Sequence, residues 1–328
     1  MWAYIVRRVI ATIPVMAVVA LFVFSLLYLA PGDPAAVIAG DQATPQDVER
    51  IRASLGLDRP YLVRFGEWVF NILQGDLGVS IFTNLPVSLM ISQRIEPTLA
   101  LMVVTLVLSI SIAVPMGVIA AWKNGTWIDR AVMGFAVLGF SVPVFVTGYL
   151  LAYVFALDGL GITDFIYEQT GIEIPLLPVQ GYTPISRGFG PFISNLILPA
   201  VALGSVYIAL IARITRATMM EVLQQDYIRT AKAKGVGSRG VLFVHALKNA
   251  AVPVVTVIGI GIALLIGGAV VTESVFAIPG LGRLVVDAIL RRDYPVIQGV
   301  VLLFSFVYVL LNLLIDLLYT LFDPRIRY

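Results

Sequence analysis

The sequence predicts an all-α membrane protein with six transmembrane helices, and three observations predict it. Of its 328 residues, 59% are hydrophobic and only 13% charged, with a mean hydropathy of +0.95; soluble domains run closer to about 45–50% apolar and about 25% charged. Six stretches reach the roughly 20 mostly apolar residues that a spanning helix needs, at 9–30, 97–122, 131–157, 194–217, 249–272 and 297–322. The charges are sorted between alternate loops. The N-terminal tail, the loops 123–130 and 213–248 and the C-terminal tail hold 13 of the 22 Lys and Arg but 4 of the 20 Asp and Glu. An excess of basic residues marks the cytoplasmic side, so both termini are expected there.

Taken in order, residues 1–30 form a short tail and the first span, which follows Arg7-Arg8 and runs into Pro31-Gly32-Asp33-Pro34. Its apolar run is too long for a cleaved signal and reads as a retained anchor. Residues 31–96 form a sizeable periplasmic segment with helical pieces. Thr44 precedes Pro45 at a helix start, and "QDVERIRASLG" closes on Gly56. "YLVRFGEWVFNILQG" places aromatics at helical spacing, as expected of a helix at the membrane surface or of an ordinary amphipathic connector. Residues 97–322 carry the five remaining spans, interrupted by a Gly- and Pro-rich outer segment at 158–193 and a basic loop at 218–248. A tail at 323–328 closes the chain.

The basic loop contains "DYIRTAKAKGVGSRG", residues 226–240. Asp226 can N-cap a helix starting at Tyr227, with Tyr227, Ile228 and Ala231 as apolar contacts and Arg229, Lys232 and Lys234 as charges. Gly235 suits a left-handed C-cap, and the lysines beside it complement the helix dipole. Ser238 can cap a following helix that leads into the fifth span. About eight residues make a helix roughly 12 Å long. Physics alone leaves two uses for it: resting on anionic lipid, or acting as a rigid lever offered to a soluble partner.

Other chemistries are excluded. The chain has no cysteine and one histidine, His245, so thiol chemistry, disulfides and a His-rich metal cluster are out, and no metal site is expected. His245 reads as a structural or surface residue. A net charge of +2 argues against nucleic acid as a partner. None of the four lysines, Lys123, Lys232, Lys234 and Lys248, sits in a G-x4-G-K-[ST] loop, so the chain has no ATPase site of its own.

The spacing within the basic loop resembles the EAA loop of bacterial ABC-importer permeases, in the variant of the B-type subunit of dipeptide, oligopeptide and nickel permeases. Aligned on Gly235, Arg229-Thr230-Ala231 stand for E-A-A and Leu247 for the conserved-pattern leucine. His245 and Lys248 replace the usual Ile and Pro. The tags "APGDP", "LGLDRP", "GDLGVS", "ESVFAIPGLGRLVVDAI", "RRDYPVIQG" and the terminal "DPRIRY" resemble the same subunit in the same order. The resemblance implies the ABC type I importer permease fold, in the bacterial inner membrane. It also implies a second permease subunit, two ABC ATPase subunits and an extracytoplasmic substrate-binding protein. ATP and Mg would sit on the partner subunits, none being bound by this chain. The cargo would be di- or oligopeptides, with nickel chelates, glutathione and oligosaccharides as alternatives. By the same resemblance, Tyr227, Arg229, Thr230, Ala231, Lys232, Lys234 and Gly235 form the coupling helix that docks on the ATPase.

Candidate translocation-path residues are Ser141, Asn312 and Asp316. An ionisable group in a span is a functional candidate by default, and Asn312 and Asp316 share a helix face; pairing of Asp316 with a base such as Arg213 is the plain alternative. On the outer side Glu273, Pro279, Gly280, Gly282 and Asp293 flank a turn that reads as an entrance element, a dock for the binding protein or a simple loop. An ion-driven secondary transporter is the second reading; it would show repeats and buried mid-span charges, whereas this sequence shows no convincing repeat and almost no charge in mid-span. A lipid-anchored scaffold is the third reading.

Overall fold

The computed structural model describes residues 2–29, 33–40, 43–54, 56–171 and 175–322. Thirteen α-helices are described: α1 (Trp2–Leu29), α2 (Pro34–Ala39), α3 (Pro45–Ser54), α4 (Tyr61–Leu73), α5 (Val87–Trp122), α6 (Trp127–Ser141) and α7 (Val144–Phe155), then α8 (Ile162–Thr170), α9 (Phe189–Leu223), α10 (Asp226–Ala233), α11 (Leu247–Val275), α12 (Leu281–Arg291) and α13 (Tyr294–Phe322). A π-helix at Gly240–Ala246 runs directly into α11. The only β-type pairing among the described residues is one antiparallel bridge, Val79 to Pro86. Ala30 to Gly32 of the "APGDP" tag and the 323–328 tail lie outside the described residues.

Among the described residues, five helical runs are individually long and apolar enough to cross a membrane: Val6–Leu29, Val87–Trp122, Phe189–Leu223, Gly240–Val275 and Tyr294–Ile315. The expected third span, 131–157, is not one helix. It is α6 and α7 meeting at 107°, and the count reaches six if this bent pair is one span. The cause is Pro143. It returns no N–H to the carbonyl four residues back, and it forces the preceding residue out of the helical region. Val142 is accordingly extended, at φ −92 and ψ 121. The second span begins ten residues earlier than the hydropathy suggested, because Val87–Glu96 continue the helix beyond its apolar part.

The chain divides into two compact units, residues 1–94 with 284–313 and residues 95–283 with the chain from 314. In the first, α4 lays its inner face on α1. The rings of Phe24, Tyr28, Tyr61, Phe65 and Trp68 stack with centroids 5.1 to 6.3 Å apart, and the Ser25 and Tyr61 hydroxyls share a 2.7 Å hydrogen bond. Edge-on and tilted aromatic pairs of this kind add about 0.5–1.5 kcal/mol each beyond their burial. The helix start at Thr44 is a reciprocal capping arrangement. The Thr44 hydroxyl donates to the Asp47 carboxylate at 2.6 Å, and the Asp47 N–H donates back to that hydroxyl at 3.3 Å. The Thr44 donors hold the Asp47 carboxyl below its usual range. Gly56 ends this piece at φ +60, as its sequence position suggested.

The second unit is built around α9. Leu101, Leu196, Leu203, Tyr207, Ile211, Leu265 and Phe276 form its buried core. A second cluster gathers Val118, Ala121, Met219, Ile228, Val241, Ala246 and Ala250 at the end where α10 lies. Nearby, Gly117 lets α5 approach α9 so closely that a Cβ on it would lie 2.6 Å from the Thr215 Cβ, the small-residue packing that helices in lipid use.

Candidate functional site

The chain leaves α9 at Leu223, extends through Gln225 (ψ 149) and re-enters a helix at Asp226. The cap position is Gln225, with no side-chain bond to the helix. Asp226, expected as the cap, is instead the first helical residue. Its carboxylate sits 3.4 Å from Arg229, but both side chains are largely in solvent, so the pair contributes little. The helix has the expected eight residues. Its far end is a Schellman closure: Val236 N–H bonds the Ala231 carbonyl at 3.1 Å and Gly235 N–H bonds the Lys232 carbonyl at 3.0 Å. Gly235 adopts φ +80, the left-handed conformation that glycine enters without a Cβ penalty.

One residue plugs this helix into the bundle. Ile228 is wholly buried against Met219, Val241 and their neighbours, worth roughly 1.5–3 kcal/mol of burial. Ala231 is half-buried. Tyr227, Arg229, Thr230, Lys232, Lys234 and Gly235 are all exposed, so Tyr227 presents its ring outward rather than packing inward. Lys232 lies 5.5 Å above the Trp122 ring, a cation–π contact that ties the basic face to the end of α5. The result is a rigid, basic, solvent-facing ridge held by one apolar pin.

The next helical run starts at Ser238, with Gly237 rather than Ser238 outside it; the Gly237 carbonyl accepts the Val241 N–H at 3.1 Å. Beside the ridge, Arg216 of α9 holds Asp129 of α6 in a two-point ion pair, its second contact at 2.8 Å. Gly125 N–H adds a 3.0 Å bond to the same carboxylate, and Arg216 also reaches Asn124 at 3.2 Å. Arg and Asp at 87 positions' separation carry no sequence signal that pairs them, and sequence reasoning missed this clamp.

Of the path residues, Ser141 is the exposed last residue of α6, at the bend, its hydroxyl turned back onto the Val137 carbonyl at 2.9 Å. Asn312 is half-buried on α13. Asp316 falls in the same helix, but its side chain lies outside the described residues.

Of the turn residues expected as an entrance element, a dock or a simple loop, the two carboxylates are enclosed. Glu273 is fully enclosed, at 0% exposure, and Asp293 nearly so, at 4%. The Glu273 carboxylate accepts from the Thr98 hydroxyl at 2.5 Å and the Arg283 N–H at 3.0 Å, while Thr98 accepts the Leu281 N–H at 2.8 Å. Together they satisfy free donors at the start of α12. The turn Pro279-Gly280-Leu281-Gly282 wraps this carboxylate so closely that a Cβ on Gly280 would lie 2.3 Å from it, and one on Gly282 would lie 2.5 Å from the Val270 backbone. Asp293 accepts from the Ser80 hydroxyl at 2.5 Å and the Ile81 N–H at 3.2 Å. Both carboxylates therefore order loops.

Comparison with known proteins follows this geometry. Residues 113–328 match the family described as "Binding-protein-dependent transport system inner membrane component", and residues 1–112 match its N-terminal companion. Over 328 residues and the full length of both chains, 55% are identical to a probable peptide ABC transporter permease protein of Sinorhizobium fredii. A dipeptide transport system permease protein of Alkalihalophilus pseudofirmus is 41% identical over 335 residues, again covering 100% of both. A glutathione transport system permease protein of Escherichia coli is 41% identical over 326 residues, 99% of each chain.

Proposed function

The chain belongs to the binding-protein-dependent transport system inner membrane components, and from that membership we propose that it forms half of the translocation pathway of an ATP-driven peptide importer. The assembly is completed by a second permease subunit, two ABC ATPase subunits that hold ATP and Mg, and an extracytoplasmic binding protein that delivers the peptide. Both termini and α10 face the cytoplasm, in keeping with the distribution of Lys and Arg.

The observation that carries the mechanism is the geometry of α10: an exposed basic ridge, pinned by Ile228 and closed by Gly235. Closure of the ATPase pair on ATP displaces the ridge. The pin and the continuous helix beyond Ser238 pass that displacement to the membrane helices, which exchange inward- and outward-open packings. Coupling of this kind needs an element with two discrete arrangements that both sites bias. The peptide cargo is supported by the relatives described as peptide and dipeptide permeases, and the glutathione permease favours small peptides in particular.

Two experiments test the reading. Affinity purification of the chain should bring down a second permease and two ATPases; a transport-competent lone protein would sink it. Ala231→Trp and Gly235→Pro should leave the protein inserted but disconnect ATP hydrolysis from uptake. Normal coupled hydrolysis in both variants would remove α10 from the mechanism.

A further inference from the structure

Arg213 stands on α9 where the expected span 194–217 and the basic loop from 213 overlap, and its side chain runs away from that loop. α6 and α9 run antiparallel in contact. Asp129, at the start of α6, meets Arg216, while Gly139, near its end, approaches the Ser205 carbonyl and Ala209. Trp122 and Trp127 bracket the loop at the Asp129 end, and tryptophan at such a position marks the membrane–water boundary. Arg213 stands one turn beyond Arg216 from that boundary. A guanidinium in lipid would bend back towards the boundary. Instead its central carbon lies 5.4 Å above the ring of Phe140, eleven residues farther along α6 than Asp129, or about 16 Å of helix. The charge points into the depth of the membrane, as a long side chain on a helix does when it follows the N-terminal direction.

A second, independent feature lies beside it. Phe140 and Ser141 are the last residues of α6, and the chain then breaks at Val142-Pro143. Pro143 has no N–H to give the Gly139 carbonyl. Irregular backbone at membrane depth is tolerated only where protein buries it or where it lines water, and Phe140 and Ser141 are both exposed. Arg213 is itself exposed, and no carboxylate pairs with it among the described residues. An exposed, inward-directed guanidinium, an aromatic shelf and a broken helix end together describe a wet site for an anion.

We propose that Arg213, shelved on Phe140 at the break of the third span, binds the C-terminal carboxylate of the peptide within a water-filled translocation path. The inference rests on the peptide cargo proposed above. A guanidinium fork matches a carboxylate, and every unmodified peptide carries one whatever its side chains, so the contact serves a cargo of varied sequence.

The test uses the complete complex in proteoliposomes, a tripeptide library and the same library as C-terminal amides. Mutant-to-wild-type ratios for each library cancel any preference of the binding protein. Arg213→Gln should raise KM for the free acids by about tenfold, the loss of one charge-assisted contact, and leave the amides unchanged. Arg213→Lys should restore most of the difference. In a chain without native cysteine, Arg213→Cys should react with a water-soluble anionic thiol reagent, and the free-acid library should protect it better than the amides. Equal effects of Arg213→Gln on both libraries, as expected if Arg213 pairs with the second subunit, overturn the proposal. So does an Arg213→Cys thiol that only a lipid-soluble reagent reaches. Failure of the wild-type complex to import either library overturns the peptide reading itself; normal wild-type import with an unaffected Arg213→Gln overturns this inference alone.

Discussion

The hydroxyl of Thr98 lies 2.5 Å from the carboxylate of Glu273, across 175 positions of sequence, and the same hydroxyl accepts the N–H of Leu281. One side chain thus joins α5, the end of α11 and the turn into α12. Thr98→Val keeps the shape and removes the hydroxyl, leaving a buried carboxylate and a buried N–H each short of a bond. A cost of about 1–3 kcal/mol is expected, seen as a lower melting temperature of the detergent-solubilised protein. Thr98→Ser should melt close to wild type, and equal melting of Thr98→Val and wild type would refute the bridging role.

Gly280→Ala should be far worse than Gly267→Ala. A Cβ at 280 would lie 2.3 Å from a carboxylate that cannot swing away, whereas nothing lies within 4 Å of one at 267. Overpacking costs about 1–3 kcal/mol or more. A helical alanine in open space gains up to about 1 kcal/mol. Melting the two variants side by side compares them directly.

Ile228→Ala should loosen α10 without unfolding the bundle. Removing a fully buried isoleucine side chain costs about 2–5 kcal/mol, and here that cost falls on a local opening. Amide exchange over residues 226–236 should accelerate by at least about thirtyfold, the lower end of that range, while the core of α9 keeps its protection. Tyr227→Ala, whose ring is already exposed, should leave exchange unchanged.

Arg216→Ala should destabilise more than Asp129→Ala. The group stranded by the first is a carboxylate at 6% side-chain exposure; the second strands a guanidinium at 23%. Breaking an enclosed pair costs about 3–5 kcal/mol, chiefly the penalty of the charge left behind. The double variant should recover part of the loss, and a strictly additive double-mutant cycle would deny the pairing.

What the sequence disclosed follows from how local each feature is. Gly235 and Gly56 were legible because a left-handed helix end nearly requires glycine, and the capped start at Thr44 lies within four residues. The family tags singled out 227–235 as the candidate coupling helix. Ile228 was recognised as apolar, but periodicity in an eight-residue helix does not say which apolar side chain is the buried one. The break at Pro143 was written in the sequence, yet strong hydropathy on both sides concealed it. Glu273, Asp293 and the Arg216–Asp129 pair depend on partners 10 to 213 residues away, and no spacing rule reaches that far.

The wide turn at Gly240–Ala246 leaves spare length at the joint between ridge and bundle. A π-turn carries one residue more than an α-helix needs to cover the same face. Deleting a single residue there would let the hydrogen-bond ladder close as a regular helix with the rest of α11 still facing its neighbours. The same deletion a few turns later would rotate everything downstream by about 100°. The joint is therefore a place along this helix where a one-residue deletion is absorbed rather than transmitted.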